Sequence, residues 1–262
     1  WDLGDGRNQI FYNGEAIAEA RHPNIGTAQR SYFDQLNLSP LWPIMGDIRV
    51  QKGGTAISEN DLNQPADYWN GATLMSFNGR AWSLAASKVQ KSEPGKLTLT
   101  DMCERFWFDD ESEDGDWGYL TGTKNAIDIP GEWYWGRDKK LDIYLPSDVT
   151  ADKLEGKKRQ ATINLRNRKY INIEDIDTIG GGMILSGTQM CVINGGEHKY
   201  VGHYTYTKDQ QYGYISDANK FNLTGPPQSG ELGIYMGGDS DAVINTHIAY
   251  SAGSGIYVTG KY

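Results

Sequence analysis

Cysteine and histidine are scarce, basic charge is outnumbered, and no long apolar run is present. The 262 residues include 2 Cys and 4 His. Cys103 and Cys191 allow at most one disulfide, and their spacing matches no metal-binding pattern. The histidines (His22, His198, His203 and His247) lack the His-Glu-x-x-His spacing of a helical metal site. No Gly-x-Ser-x-Gly nucleophile elbow is present. Lys and Arg number 25 against 34 Asp and Glu, a formal net charge of −9. That balance argues against a general nucleic-acid binder, which needs a basic footprint. No run is apolar enough to span a bilayer, so no membrane partner is expected. Gly180-Gly181-Gly182 has no Lys-Ser/Thr after it and reads as a turn, not a phosphate loop.

What is abundant is glycine and aromatic rings: 32 Gly, with 8 Trp, 16 Tyr and 6 Phe. Many tight turns together with many rings point to an all-β protein. Such rings fill β cores and cross-strand pairs. They also suit hydroxylated ligands, because a flat ring covers the apolar face of a pyranose.

The chain divides into pieces. Ile10-Phe11-Tyr12, Asn13-Gly14 and Ala16-Ile17-Ala18 form a hairpin signal, since Asn-Gly accepts the positive φ of a type I′ turn. Residues 25–125 hold short β-like runs such as Ala72 to Phe77 and Leu97 to Thr100, separated by turns such as Pro94-Gly95. This stretch reads as a small β-sandwich or barrel inserted into a second domain formed by 1–24 and 126–262. Trp133-Tyr134-Trp135 and Leu141 to Leu145 form another hairpin.

An internal repeat follows. Ile163-Asn164-Leu165, Met183-Ile184-Leu185, Gly233-Ile234-Tyr235 and Gly255-Ile256-Tyr257 open similar units. The step is roughly 21 residues from Ile163 to Ile184 and roughly 22 from Ile234 to Ile256, which suggests stacked β coils. The Leu-x-x-Leu-x-Leu spacing of leucine-rich repeats is absent. The expected fold is therefore all-β, the first coils of a right-handed parallel β-helix carrying the inserted sandwich or barrel. The surplus between Ile184 and Ile234 is expected to loop out near Tyr200 to Leu232. The last coil stops within its first strand, so the chain is expected to be the front of a longer protein.

Several runs resemble a family. Gln9-Ile10-Phe11-Tyr12-Asn13-Gly14-Glu15, Ala20-Arg21-His22-Pro23-Asn24, Tyr68-Trp69-Asn70-Gly71-Ala72 and Pro130-Gly131-Glu132-Trp133-Tyr134 are similar to segments of bacterial β-helix carbohydrate-active enzymes. The unit from Gly233 to Ile256 fits as well. These are the β-xylosidase-like and fucosidase-like glycoside hydrolases with an inserted β-sandwich. The resemblance implies a secreted, extracellular or periplasmic protein acting on a plant or microbial polysaccharide or oligosaccharide. It specifies architecture more than substrate, because one scaffold hosts several chemistries.

Glycoside hydrolysis needs two carboxylates. Glu231, just before a coil strand, and Asp217, in the loop, are the candidates. Asp239 and Asp241 read as turn residues. His203, Tyr206, Tyr212 and Tyr235 are candidate substrate contacts. Asp110, Ser112, Asp114 and Asp116, with Gly115 at the sixth position, resemble half of a calcium loop, although Thr121 stands where a bidentate Glu belongs. A structural calcium is the only metal this suggests, and no cofactor is required. Besides a structural surface-layer or adhesin piece, two other readings remain open. One is a polysaccharide lyase using Arg159, Arg166 or Arg168 against a uronate. The other is a carbohydrate-binding module without catalysis.

Overall fold

The computed structural model describes residues 9–24, 47–51, 54–78, 83–100, 116–136, 140–147, 149–159, 161–201, 233–251 and 255–259. It divides into two compact units. One holds the described residues between 18 and 151; the other holds those of 9–17, 152–201 and 233–259. No described helix is long and apolar enough to cross a membrane.

The first unit is built on period-two alternation. Ile48 and Val50 are buried while Arg49 and Gln51 are not; Leu97 and Leu99 are buried between Lys96, Thr98 and Thr100. Such strands bury one face only, so they need a surface that curves round it. Six strands do this: Ile48–Gln51, Thr55–Ile57, Lys96–Thr100, Ser83–Glu93, Thr73–Asn78 and Asp116–Thr121 pair in that order, and the last returns to the first. Every pairing is antiparallel. The result is a closed barrel, which leaves no edge among these six. Ile48, Ala56, Leu74, Leu97 and Leu120 lie fully buried in its core. Each such Leu or Ile contributes about 1.5–3 kcal/mol.

Closure needs Gly118. It lies opposite Ser76 on the seam between the Asp116–Thr121 and Thr73–Asn78 strands. A β-carbon at 118 would stand 2.9 Å from Leu74 Cδ1 and 2.9 Å from the Met75 carbonyl. A second sheet pairs Glu132–Trp135 with Leu141–Tyr144 antiparallel and with Ala18–Glu19 parallel.

The second unit begins with the Ile10–Tyr12 and Glu15–Ala16 hairpin. Asn13 at φ 50 and Gly14 at φ 77 supply the positive angles of its turn. Leu154–Gly156 adds a third antiparallel strand. Three short parallel ladders follow. Ala161–Asn164, Gly182–Gln189, Ile234–Asp239 and Ile256–Val258 form one. Asn172–Glu174, Val192–Asn194 and Ala242–Ile244 form the second. Thr178–Ile179, Glu197–Lys199 and His247–Ala249 form the third. Leu165, Met183, Leu185, Cys191, Ile193 and Ile234 make the core between them. Cys191 is a buried free thiol; Cys103 lies outside the described residues.

At the corners the backbone turns left-handed while its N–H continues the ladder. Asp175 (φ 52) donates to Asn194 O at 2.9 Å, and Gly195 (φ 76) donates to Ile244 O at 2.9 Å. Tyr170 (φ 59) and Met190 (φ 53) do the same toward Gln189 and Asp239. Gly180, Tyr200 and Tyr250 occupy a third such corner, at φ 71, 56 and 57. There the Tyr200 and Tyr250 rings stack at 5.1 Å, and Phe11 of the hairpin meets Tyr200 edge-on at 5.4 Å.

The expected right-handed parallel β-helix is corrected as the fold class. The protein is all-β, as expected, but six of the seven strands of its largest sheet close into an antiparallel barrel, and both hairpins lie in sheets with antiparallel pairs. The stretch 25–125, expected to be a small β-sandwich or barrel, contains the barrel strands between residues 48 and 121. In that stretch, turns such as Pro94-Gly95 are too short for a crossover and permit antiparallel pairing only. The parallel pairs of the second unit are confined to its three ladders and to an isolated bridge between Lys169 and Gln189.

Two substitutions test the barrel. Gly118→Val overpacks the seam and is expected to lower the unfolding free energy by about 1–3 kcal/mol in urea denaturation. Leu120→Ala, which empties the core, is expected to cost about 2–5 kcal/mol. Wild-type stability for Gly118→Val would show that the seam is open.

Candidate functional site

The four-strand parallel ladder carries a stacked pair of aromatic side chains. In the Ile234–Asp239 strand, Ile234 and Met236 pack into the core. Alternation therefore sends Tyr235 and Gly237 to the opposite face. The parallel register aligns Asn164, Ile184, Tyr235 and Tyr257 in one column on that face. The Tyr235 and Tyr257 rings are parallel within 14°, with centroids 6.0 Å apart. Thr259 Oγ1 donates to Tyr235 Oη at 3.0 Å, and Thr259 N donates to Met236 O at 2.8 Å. Both tyrosines are partly accessible. This column contains two rings, an amide and an isoleucine, with no carboxylate.

The turn beyond is structural. A β-carbon at Gly238 would collide with the Asp241 carboxylate and the Thr188 hydroxyl. Asp241 accepts from Thr188 Oγ1 and, at 2.9 Å, from Cys191 N. Asp239 accepts from Ser240 Oγ at 3.1 Å. Both acids act as turn residues, as their sequence suggests.

The third ladder carries charge. Glu197 accepts from Lys199 Nζ at 2.9 Å and meets His247 Nδ1 at 3.1 Å. These hydrogen bonds, Lys199 first, hold the Glu197 carboxyl below its ordinary range. On the core side, His198 is fully buried, with Nδ1 2.9 Å from Thr178 Oγ1. Burial depresses its pKa, which keeps the ring neutral at neutral pH.

The barrel unit has its own polar cluster. Thr73, Lys88 and Tyr119 alternate with the core residues Leu74, Val89 and Leu120, so they lie on the barrel's outer face. Lys88 Nζ donates to Thr73 Oγ1 at 2.8 Å. The Arg21 guanidinium stands 3.7 Å from the Tyr119 ring centroid, and its Nε donates to Pro23 O at 3.2 Å. The Glu132 carboxylate accepts from the backbone N–H of Asp128, Ile129 and Arg21. Burial nevertheless raises the Glu132 carboxyl above its ordinary range. Glu19 interacts with both Lys88 and Tyr119; burial pushes its carboxyl up to about 7, against the pull of Lys88.

Of the residues singled out by sequence, Tyr235 is placed in an organised array. Glu231, Asp217, His203, Tyr206, Tyr212, Asp110, Ser112 and Asp114 lie outside the described residues. Asp116 begins a barrel strand, and only its backbone is described. No group of three or more His, Cys, Asp or Glu among the described residues could hold a metal ion. Arg159, Arg166 and Arg168 are exposed. Sequence reasoning missed Tyr257 and Thr259 as partners of Tyr235. The signal was present, because Gly255-Ile256-Tyr257 repeats Gly233-Ile234-Tyr235 at the same offset. It also missed Glu19, whose environment depends on strands far away in the chain.

No family model matches the chain, and no curated protein matches it. A solved structure described as "Glycoside hydrolase" matches with a TM-score of 0.44 and 13% identity. The match covers 80% of this chain and 33% of that one, so this chain spans about a third of its length. A likeness so shallow carries no argument about activity.

The Glu19 carboxyl fixes a pH dependence. Unfolded, it loses its proton near 4.5; folded, it keeps it to about 7. Unfolding therefore releases a proton between those values, and stability falls as pH rises through that window and is level above it. Glu19→Gln is expected to remove this slope and to raise the unfolding free energy at pH 8 by on the order of 1–2 kcal/mol. Equal slopes for the two proteins would disprove it.

Proposed function

We propose that the chain is a carbohydrate-contacting portion of a glycoside hydrolase-like protein, with Tyr235 and Tyr257 as the contact for sugar rings. The observation that carries this reading is the pair of parallel tyrosines on successive rungs, one held by Thr259. An aromatic face suits the apolar face of a pyranose, and the adjoining hydroxyls suit its rim. The net charge of −9 favours a neutral glycan over a polyanionic one. It also disfavours the lyase reading, which needs cations around a uronate. Glu231 and Asp217 are the proposed acid pair, and the protein is proposed to work outside the cytoplasm on a plant or microbial glycan. A non-catalytic binding module is the second reading, favoured by the absence of a carboxylate from the tyrosine column.

Affinity electrophoresis in soluble xylan and hydroxyethyl cellulose, with reducing-end release measured in parallel, tests both readings. Wild-type protein is expected to be retarded by at least one of the glycans. Tyr235→Ala and Tyr257→Ala are each expected to weaken retardation about ten-fold. Glu231→Gln and Asp217→Asn are expected to keep binding and to lower reducing-end release about a hundred-fold or more. Binding without release by the wild type would select the binding-module reading. Unaltered binding by both tyrosine variants would remove the tyrosine face from the function.

A further inference from the structure

We infer that Gly237 is a positioning residue, an empty seat in the strand that lays the Tyr235 ring along the sheet where a sugar can reach it. This rests on the tyrosine face being the glycan contact. Gly237 is in the interior of a strand, where glycine is the weaker choice than alanine. Most glycines nearby have a backbone reason to be there: Gly187, Gly195, Gly196 and Gly233 all take positive φ. Gly237 does not, so its backbone would accept any L-residue. The nearest atoms to a β-carbon at 237 all belong to one side chain, Tyr235: Cε1 at 2.7 Å, Oη at 2.8 Å and Cζ at 2.9 Å. Gly238, by contrast, is blocked by Asp241 and Thr188 and is needed for the turn.

The register completes the seat. Ser186 lies beside Gly237 on the neighbouring rung, and Thr259 N on the next rung donates to Met236 O. The Tyr235 ring crosses from its own position onto 237, and its hydroxyl is fixed there by Thr259. A methyl group at 237 would occupy the space of the ring edge. The ring is the movable partner, so it would rotate off the sheet while the strand stayed in place.

The test is Gly237→Ala, measured beside Tyr235→Ala in the same xylan and hydroxyethyl cellulose gels, with thermal unfolding of each variant. Gly237→Ala is expected to weaken retardation about ten-fold, as Tyr235→Ala does, with an unfolding temperature equal to or above wild type. Thr259→Ser, which keeps the hydroxyl, is expected to bind as wild type, and Thr259→Val to bind less well. Wild-type affinity for Gly237→Ala while Tyr235→Ala is weak overturns the seat and leaves the glycan reading standing. A fall in unfolding temperature alongside affinity overturns it in favour of a purely structural glycine. Wild-type affinity for Tyr235→Ala, or no retardation of the wild type, removes the glycan reading and the seat together.

Discussion

The second unit depends on left-handed residues at its corners. A chain passing from one parallel ladder to another must bend without breaking its hydrogen bonds to the neighbouring rung. A residue at positive φ does this, because its N–H still points at the carbonyl of the next rung, as Gly195 does to Ile244 and Tyr200 does to Ala249. Glycine takes the conformation freely; a residue with a β-carbon costs about 1–2 kcal/mol. Tyr200 and Tyr250 meet that cost with ring stacking at 5.1 Å. Once the corners are fixed, the strands between them stand in register. The alignment of Tyr235 with Tyr257 is a result of that register.

The barrel unit solves a different problem. Its strands bury one face and pair antiparallel with their neighbours, so they curl until the first and last meet. Gly118 allows that meeting by having no side chain at the seam. Closure also creates an outer face on which Thr73, Lys88 and Tyr119 collect, and against which Glu19 and Arg21 lie. The raised Glu19 carboxyl follows from this placement: its charge loses water, and the pull of Lys88 offsets that loss only in part.

How much of this was legible in the sequence depended on range. Asn13-Gly14 announced its hairpin because the turn chemistry is local. The Ile-Tyr pairs at 234–235 and 256–257 announced their shared offset because a parallel register copies sequence spacing into space. The choice of barrel over sandwich was not legible, since the seam joins residues 73–78 to 116–121 across intervening strands and turns on one glycine. Periodicity is silent on such a seam, so the expected parallel β-helix gives way to a closed antiparallel barrel within an all-β protein. For the site, Tyr235 could be named but not its partners, because stacking and the Thr259 hydrogen bond arise only from the register. The closeness of Gly237 to the ring of Tyr235, two residues earlier on the same strand, arises only once that strand is laid out.

The hairpin's bond to the third corner has a bearing on how the chain is made. Gly180 has no ring of its own, and Phe11 of the hairpin lies over that place, 2.9 Å from where a β-carbon would be. Glu15 accepts from the Tyr200 hydroxyl across 185 residues of sequence. A ribosome adds roughly 5–20 residues per second, so the hairpin waits on the order of ten seconds or more for its partner to be synthesised. The described barrel strands, all between residues 48 and 121, are completed within that wait. Synthesis order thus separates the two units in time: the one with local partners can fold first, while Phe11 and Glu15 of the hairpin that precedes it wait for Gly180 and Tyr200.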